Sequence, residues 1–237
     1  MLLQRAERVG ESAVSKLENS KLTEPARVLV VDDHPLMRQG FGQLIDRQHD
    51  LQMCGEASNI NEALAQVRQM NPDLIVIDIS LKDGNGLELI KQLKSQNGEL
   101  KMIAVSMHDE ALFAERALHA GALGYVNKEE SPDVLLEAIR QVLRGKIFLS
   151  GCMTDRILSR AAGNNHGLQE SPLASLSDRE LEVFELIGKG FSTRHIAEKL
   201  HLSSKTVDTY RQNIKTKLKL QSAAELTIRA AQWTMGD

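Results

Sequence analysis

Four short strand-like runs, near 28–31, 74–77, 102–105 and 124–127, and a fifth strand-like segment at 51–56 are each followed by a stretch in which apolar residues return every three or four positions. A continuous apolar run is typical of a strand buried on both faces, and the longer period is typical of an amphipathic helix. The pattern predicts strands at 27–31, 51–56, 73–77, 101–105 and 123–126, and helices at 35–47, 60–70, 86–96, 110–119 and 131–143. Five strand–helix units with short connections indicate an α/β domain, with helices covering both faces of a parallel sheet.

The pattern changes after residue 150. Residues 150–175 combine turn-forming residues with little apolar periodicity, which predicts a linker with one or two helical turns near 152–162. Ser177 and Glu180 then have the spacing of a capping box that opens a helix. Caps at Ser192, and at Ser203 or Ser204, predict helices that end near residues 200 and 218, and a fourth helix is expected near 222–233. Four short helices with tight turns indicate a small all-α bundle that contains a helix-turn-helix.

These patterns divide the chain into four parts. We expect an N-terminal extension at 1–26, an α/β domain at 27–148, a linker at 149–173 and an all-α domain at 174–237. The extension is polar, and a frayed segment is expected there, although a short amphipathic helix is also compatible with its residues.

Composition narrows the class of protein. The 237 residues have a net charge of −3, but residues 176–237 alone carry 10 basic and 8 acidic side chains, several of the basic ones within 205–219. A basic final domain favours a polyanion as its partner. Two distant cysteines give neither a disulfide framework nor a zinc spacing, and no run approaches the ~20 apolar residues of a membrane span. A cytoplasmic protein without a membrane segment is the expectation.

Polar side chains stand where the predicted strands end. Asp32 and Asp33 follow the first strand, Asp78 follows the third, Ser106 follows the fourth, and Lys128 comes shortly after the fifth. Ligands bind at this edge of open α/β sheets. Clustered carboxylates repel one another unless a cation is bound, and oxygen ligands favour Mg²⁺. A carboxylate beside Mg²⁺ can attack phosphorus, and a hydroxyl and a lysine can then hold the phosphoryl oxygens.

The spacing of these residues, together with the stretches 77–81 and 124–128, resembles the receiver domain of bacterial two-component response regulators over roughly 27–145. The resemblance implies a flavodoxin-like sheet of order 2-1-3-4-5, with Asp78 as the phosphoacceptor. It also implies that Asp33, Asp78 and the Ser80 carbonyl bind Mg²⁺ and that Asp32 helps to hold it. Ser106 and Tyr125 would form the switch pair, and Lys128 would contact the phosphoryl group.

Residues 174–235 resemble the DNA-binding domain of LuxR-type regulators. The resemblance rests on apolar positions, a glycine, helix caps and recognition-helix residues that all fall in register. In the helix that starts near residue 203, one apolar stripe faces inward. Side chains on the other faces are candidates for contact with the major groove or with phosphates. The candidate DNA contacts are Lys205, Thr206, Asp208, Thr209, Tyr210, Arg211, Gln212 and Lys215. Asp208 could accept from a cytosine amine or simply cap the helix and pair with Arg211. The final helix is compatible with a dimer surface and equally with the bundle core.

Together the resemblances imply a response regulator of the NarL/FixJ class, a transcription factor rather than an enzyme. A sensor histidine kinase would phosphorylate Asp78, and phosphorylation would favour a homodimer that binds double-stranded promoter DNA; slow loss of its own phosphate is the only turnover expected. One alternative is a phosphorylation-independent DNA-binding protein whose first domain only dimerises. Another is an aspartate-dependent phosphohydrolase, although those enzymes typically carry a second aspartate two residues after the nucleophile, where this chain has Ser80.

Overall fold

The computed structural model describes residues 24–81, 84–107, 110–162, 172–200 and 202–235. Most of the predicted N-terminal extension therefore lies outside the described residues. The first domain contains a five-stranded parallel sheet in the order β2-β1-β3-β6-β7, which confirms the flavodoxin-like order 2-1-3-4-5 for its five strands. These strands are β1 (Ala26–Val31), β2 (Leu51–Ala57), β3 (Leu74–Asp78), β6 (Lys101–Ser106) and β7 (Gly124–Asn127). A separate two-stranded hairpin, β4 (Ser80–Leu81) and β5 (Gly84–Asn85), was not predicted.

Helices cover both faces of this sheet because successive side chains of a strand point to opposite faces. Val28 and Val30 face one apolar cluster, and Leu29 and Val31 face the other. The helices are α1 (Pro35–Asp46), α2 (Ile60–Met70), α3 (Gly86–Gln96), α4 (Glu110–Ala120) and α5 (Pro132–Leu143). Each lies within a few residues of its predicted range.

The connection after α5 contains more regular structure than the sequence indicated. A helix of 11 residues, α6 (Gly151–Ala161), stands where one or two turns were expected. A short 3₁₀ helix, Pro172–Ser175, leads into the second domain. Within the described residues, no helix is both long and apolar enough to cross a membrane.

The second domain is the predicted bundle of four helices. They are α7 (Asp178–Gly188), α8 (Thr193–Lys199), α9 (Ser204–Lys217) and α10 (Ala223–Met235). The capping box is present, since the amide of Ser177 donates to Glu180 over 2.7 Å and the amide of Glu180 donates to Ser177 Oγ over 3.3 Å. Ser203, rather than Ser204, caps α9.

Glycine at the end of α7 lets two helices of this bundle approach closely. A Cβ on Gly188 would collide with the Ala230 carbonyl group and the Thr234 hydroxyl of α10. Phe184 of α7 and Trp233 of α10 also pack together, with their ring centroids 5.8 Å apart. The α7–α10 contact therefore depends on a residue without a side chain at position 188.

Candidate functional site

Three carboxylates meet at the C-terminal edge of the sheet. Asp32 and Asp33 follow β1, and Asp78 ends β3, which is the neighbour of β1 with Val31 paired to Ile77. All three are buried, with exposed fractions of 0%, 7% and 1%. The adjacency of two parallel strands thus brings together the acids that the sequence predicted to converge.

Lys128 bridges two of these acids from the end of β7. Its Nζ lies 2.7 Å from Asp32 Oδ2 and 2.7 Å from Asp78 Oδ2, and its side chain is 4% exposed. The amide of Lys128 also donates to the Ser106 carbonyl oxygen over 2.8 Å, which fixes this loop to the end of β6. One buried ammonium therefore contacts two of the three buried carboxylates, so the cluster keeps an excess of negative charge.

Burial dominates the protonation of Asp78. It raises the pKa of this carboxyl to about 6, while the Lys128 ammonium opposes the rise and the charge of Asp32 adds to it. The carboxyl is still mainly ionised at neutral pH. It is thus available there as a metal ligand or as a nucleophile.

The donor set fits a hard divalent cation. Asp32, Asp33, His34 and Asp78 each offer a ligand atom, and these atoms all lie within 4.8 Å of one another. Carboxylate oxygens suit Mg²⁺, and the excess negative charge of the cluster would be relieved by a cation there. The acidic cluster can therefore bind a metal ion.

His34 also reaches this cluster, although the sequence pattern did not predict a role for it. It stands at the N-cap of α1, without a capping hydrogen bond from its side chain. Its Nδ1 nevertheless lies 2.7 Å from Asp33 Oδ1, and its amide donates to Asp32 Oδ1 over 2.7 Å. Its position directly after the acid pair was the available signal.

The hairpin after β3 shapes the loop beside Asp78. The amide of Ser80 donates to Asp78 Oδ1 over 3.1 Å, and Gly86 donates to the Ile79 carbonyl oxygen over 2.8 Å. A Cβ on Gly86 would collide with the Asp78 carbonyl oxygen and lie 2.8 Å from Ile79 Cα. Only glycine lets the start of α3 approach the backbone of Asp78 this closely.

The predicted switch residues lie farther inside the domain. Ser106 ends β6 and is fully buried, and Tyr125 of β7 is 1% exposed. They occupy adjacent strands, with Ala104 paired to Tyr125. Ser106 therefore stands at the end of its strand, whereas Tyr125 lies two residues further from that edge and is packed into the core.

A second candidate site lies on α9. The predicted inward stripe was Val207, Ile214 and Leu218; Val207 and Ile214 are buried, and Leu218, at the C-cap, is half-buried. Of the candidate contacts, Lys205, Asp208, Thr209 and Gln212 are exposed, whereas Thr206, Tyr210, Arg211 and Lys215 are half-buried.

Two of the half-buried side chains have contacts within the domain. Tyr210 packs against the apolar core of the bundle, and the Thr206 hydroxyl lies 2.7 Å from Ser203 Oγ. The exposed residues form one polar face near the start of the helix, where a recognition helix contacts base edges.

Two family profiles match this chain, one in each domain. The profile described as "Response regulator receiver domain" matches residues 28–140, and the one described as "Bacterial regulatory proteins, luxR family" matches residues 174–230. The first range contains the carboxylate cluster and Lys128, and the second contains α9.

Relatives of known name match over nearly the whole chain. The nitrate/nitrite response regulator protein NarL of Escherichia coli strain K12 is 34% identical over 207 residues, which cover 86% of this chain and 94% of NarL. The response regulator GacA of Pseudomonas aeruginosa is 33% identical over 211 residues, covering 89% of this chain and 98% of GacA.

Solved structures agree with the fold. A LuxR-family two-component response regulator from Aurantimonas is 32% identical, covers 59% of this chain and 99% of its own, and has a TM-score of 0.55. RcsB of Salmonella enterica serovar Typhimurium, solved on promoter DNA with a phosphomimetic, is 23% identical with a TM-score of 0.63. It covers 88% of this chain and 100% of its own, and at this identity it supports the fold alone.

Proposed function

The chain belongs to the two-component response regulators that join a receiver domain to a LuxR-type helix-turn-helix, and we propose that it transmits a signal from Asp78 to promoter DNA. Family membership makes it a phosphorylation-controlled, DNA-binding regulator of transcription. The observation that carries the choice of Asp78 is its position, buried beside Lys128 and within 4.8 Å of two further carboxylates and an imidazole. We assign residues 27–148 to the receiver, 149–173 to the linker and 174–237 to the DNA-binding domain.

The phosphodonor in this proposal is a sensor histidine kinase. An Asp78 carboxylate oxygen attacks the phosphorus of a phosphohistidine, so that an O–P bond forms and the N–P bond breaks, and the imidazole takes up a proton. Lys128 is positioned to neutralise charge on the phosphoryl oxygens because its ammonium already touches Asp78. Ser106 supplies a hydroxyl at the end of the neighbouring strand, and its movement with Tyr125 reports the phosphoryl group to α4.

Mg²⁺ is the cofactor that this donor set favours. Asp33, Asp78 and the Ser80 carbonyl oxygen would hold it, and Asp32 would support it. When bound, the ion would neutralise charge on the carboxylates and on the incoming phosphoryl group. A receiver built in this way transfers phosphate to itself, and we therefore assign the chain to the non-enzymes.

DNA recognition is assigned to α9. Asp208, Thr209 and Gln212 are assigned to base edges in the major groove, and Lys205, Tyr210, Arg211 and Lys215 to the phosphate backbone, with Thr206 as a further candidate DNA contact. A homodimer would place two such helices on an inverted repeat. Because its target is promoter DNA, the cytoplasm is the compartment we assign.

The decisive experiment compares the wild type with Asp78→Asn, each with and without acetyl phosphate and Mg²⁺. We expect the wild type to gain the mass of one phosphoryl group, to dimerise and to bind promoter DNA more tightly. Asp78→Asn should show none of these responses, because a side-chain amide lacks the nucleophilic carboxylate oxygen. Intact mass, sedimentation and gel-shift titrations measure the three effects.

Ser80→Ala is the matched control, since Ser80 contributes only its backbone to the proposed site. It should still be phosphorylated. Equal responses of the wild type and Asp78→Asn would contradict the proposal, and steady release of phosphate from small esters would point to a phosphohydrolase instead.

A further inference from the structure

The ring of His34 is held against the acid pair by the turn between β1 and α1. Pro35 lies in the first turn of α1, and the residue before a proline is restricted to extended backbone. His34 accordingly has φ −88° and ψ 111°. Its amide donates to Asp32 Oδ1 over 2.7 Å, and its Nδ1 lies 2.7 Å from Asp33 Oδ1. The imidazole therefore contacts the carboxylates instead of capping the helix that it precedes.

Arg38 fixes the same turn from within α1. Its Nη1 donates to the Asp32 carbonyl oxygen over 2.6 Å, and its Nε lies 3.6 Å from a carboxylate oxygen of Glu56 in β2. Hydrogen bonds from a charged donor are stronger than those between neutral groups. The backbone that carries Asp32, Asp33 and His34 is thus held in place before any ligand arrives, which is the condition for a selective site.

The contacts of Asp32 decide which donor atoms of the cluster can share an ion with His34. Asp32 Oδ2 contacts Lys128 Nζ and Asp32 Oδ1 accepts from the His34 amide, both over 2.7 Å. His34 Nδ1 is also farther from Asp32 Oδ1, at 3.4 Å, than from Asp33 Oδ1. The best-placed set is therefore the imidazole nitrogen with the carboxylates of Asp33 and Asp78, whose ligand atoms lie within 4.8 Å of one another.

An imidazole changes which cation such a site prefers. Mg²⁺ takes oxygen ligands and keeps several waters, whereas imidazole nitrogen suits Zn²⁺ and the neighbouring first-row ions, which also bind more tightly to a given set of ligands. One histidine and two carboxylates are three ligands of the types that Zn²⁺ takes in proteins. The His34 side chain is 62% exposed, so an ion can reach Nδ1 from solvent.

We propose that His34 is a metal ligand, which gives the carboxylate cluster a site for a first-row transition ion of the Zn²⁺ type, bound by His34, Asp33 and Asp78 in competition with Mg²⁺. The proposal goes beyond the proposed function, in which Mg²⁺ is held by oxygen atoms alone, and it rests on that function only in placing the ion beside the phosphoacceptor. The cation next to Asp78 then depends on the supply of transition metal as well as of Mg²⁺.

The first test measures metal binding to the full-length protein without a phosphodonor. Calorimetric titrations with Zn²⁺ and with Mg²⁺ compare the wild type with His34→Asn, whose amide can still hydrogen-bond to Asp33 but offers no imidazole nitrogen. We expect the Kd for Zn²⁺ to rise at least about tenfold, since even outer-shell partners of a metal contribute that much. The Kd for Mg²⁺ should stay within about twofold, because Mg²⁺ does not need a nitrogen ligand. An unchanged Kd for Zn²⁺ would overturn the proposal.

Two controls assign the bound ion to this site. Asp33→Asn should weaken both ions, and Zn²⁺ affinity that is independent of Asp33 would place the ion elsewhere and overturn the proposal. His119→Ala removes an exposed histidine of α4 whose Nδ1 contacts the Glu115 carbonyl oxygen, and it should keep both wild-type affinities. Circular dichroism verifies that each variant is folded.

The second test detects the nitrogen ligand directly. Co²⁺ is a spectroscopic substitute for Zn²⁺, and its visible absorption bands respond to the ligands around it. The bands of the wild-type complex should shift in His34→Asn, because an imidazole nitrogen is a stronger-field ligand than an oxygen atom. Identical bands in the two proteins would overturn the assignment of His34 as a ligand.

Phosphorylation with acetyl phosphate and Mg²⁺ separates this proposal from the proposed function. A wild type that is phosphorylated on Asp78 but binds Zn²⁺ independently of His34 would overturn the nitrogen ligand and leave the phosphoacceptor in place. A wild type that is not phosphorylated, but whose Zn²⁺ affinity depends on His34, would overturn the proposed function and leave the metal ligand in place.

Discussion

At the scale of single residues, the site is governed by the balance between its carboxylates and the cation that faces them. The Lys128 ammonium contacts both Asp32 and Asp78, and all three side chains are almost fully buried. Removing one member of a buried ion pair costs more than the pair contributes, because the partner charge is left in a poorly solvating environment. The residue types and their places at strand ends could be predicted from the sequence, but the simultaneous contact of one lysine with two acids could not.

Lys128→Met should lower the free energy of unfolding by about 3 kcal/mol at pH 7 without Mg²⁺. Denaturant titration measures this loss, and Lys146→Met, at an exposed position of the same domain, should stay within about 0.5 kcal/mol of the wild type. A Lys128→Met protein as stable as the wild type would show that the carboxylates are solvated or protonated despite their burial.

A second ion pair predicts how stability depends on pH. Arg140 donates to both carboxylate oxygens of Asp50 over 2.7 and 2.9 Å, and its hydrogen bond lowers the pKa of Asp50 below the ordinary 3.8. Because the folded-state pKa is depressed, the stabilisation is fully present above about pH 4 and is lost as the pH falls through the folded-state value.

Asp50→Asn should therefore cost about 1 kcal/mol at pH 7, and the difference from the wild type should shrink below pH 4. Unfolding free energies measured between pH 2.5 and 7 test this. Glu99→Gln, an exposed carboxyl, serves as the control. A difference that grows as the pH falls would contradict the assigned sign.

At the scale of elements, the sequence predicted strands best where both faces of the strand are buried. Most strands of the receiver contain a continuous apolar run, so their positions and the parallel sheet could be predicted, whereas β2 mixes apolar and polar residues. The hairpin β4–β5 could not, since strands of two residues have no detectable period. Helix α6 was predicted too short because its sequence is interrupted by polar residues and its packing against α4 is a long-range contact. Serine caps located the starts of α7, α8 and α9 because each cap satisfies backbone groups locally.

Gly188→Ala tests the close approach of α7 and α10. A methyl group there meets the backbone of Ala230, which cannot move aside as a side chain can, so we expect a loss of 2 kcal/mol or more, roughly the range for overpacking. Gly40→Ala in α1 is the matched control because a Cβ there has nothing within 4 Å, and it should gain about 0.5–1 kcal/mol from helix propensity. Thermal melting followed by circular dichroism and by Trp233 fluorescence distinguishes the two domains. Equal effects of the two substitutions would remove the case for a tight helix contact.

At the scale of the whole molecule, net charge and the hydrophobic pattern predicted two domains with different functions, but they did not predict the contact between the domains. Asp178 and Arg116 are 62 positions apart, and the sequence reasoning assigned no role to either. An interface between domains depends on shape and charge that come together only after each domain has folded. The receiver and the bundle were therefore predictable separately, and the ion pairs of Asp178 with Lys91 and Arg116 were not.

DNA binding should separate two classes of contact on α9. Lys205→Ala and Lys215→Ala should weaken binding on all sequences and reduce the slope of log Kd against log salt concentration by about 1 each. Gln212→Ala should leave that slope unchanged and cost about 1–3 kcal/mol on the specific site alone. Fluorescence anisotropy across a series of salt concentrations measures both quantities, with Lys146→Ala in the receiver as the control. An unchanged slope for both lysine variants would remove them from the phosphate contacts.

The capping box of α7 has a mechanical consequence. The Glu180 carboxylate, which accepts the hydrogen bond of the Ser177 amide, also forms an ion pair with Lys217 at the end of α9, over 2.6 Å. The start of the helix that bears Asp178 is thus fastened to the far end of the helix that is proposed to enter the groove. Because Glu180 joins the two helices, we expect a displacement of the start of α7 to carry α9 with it, so that the orientation of α9 changes while the helix itself stays intact.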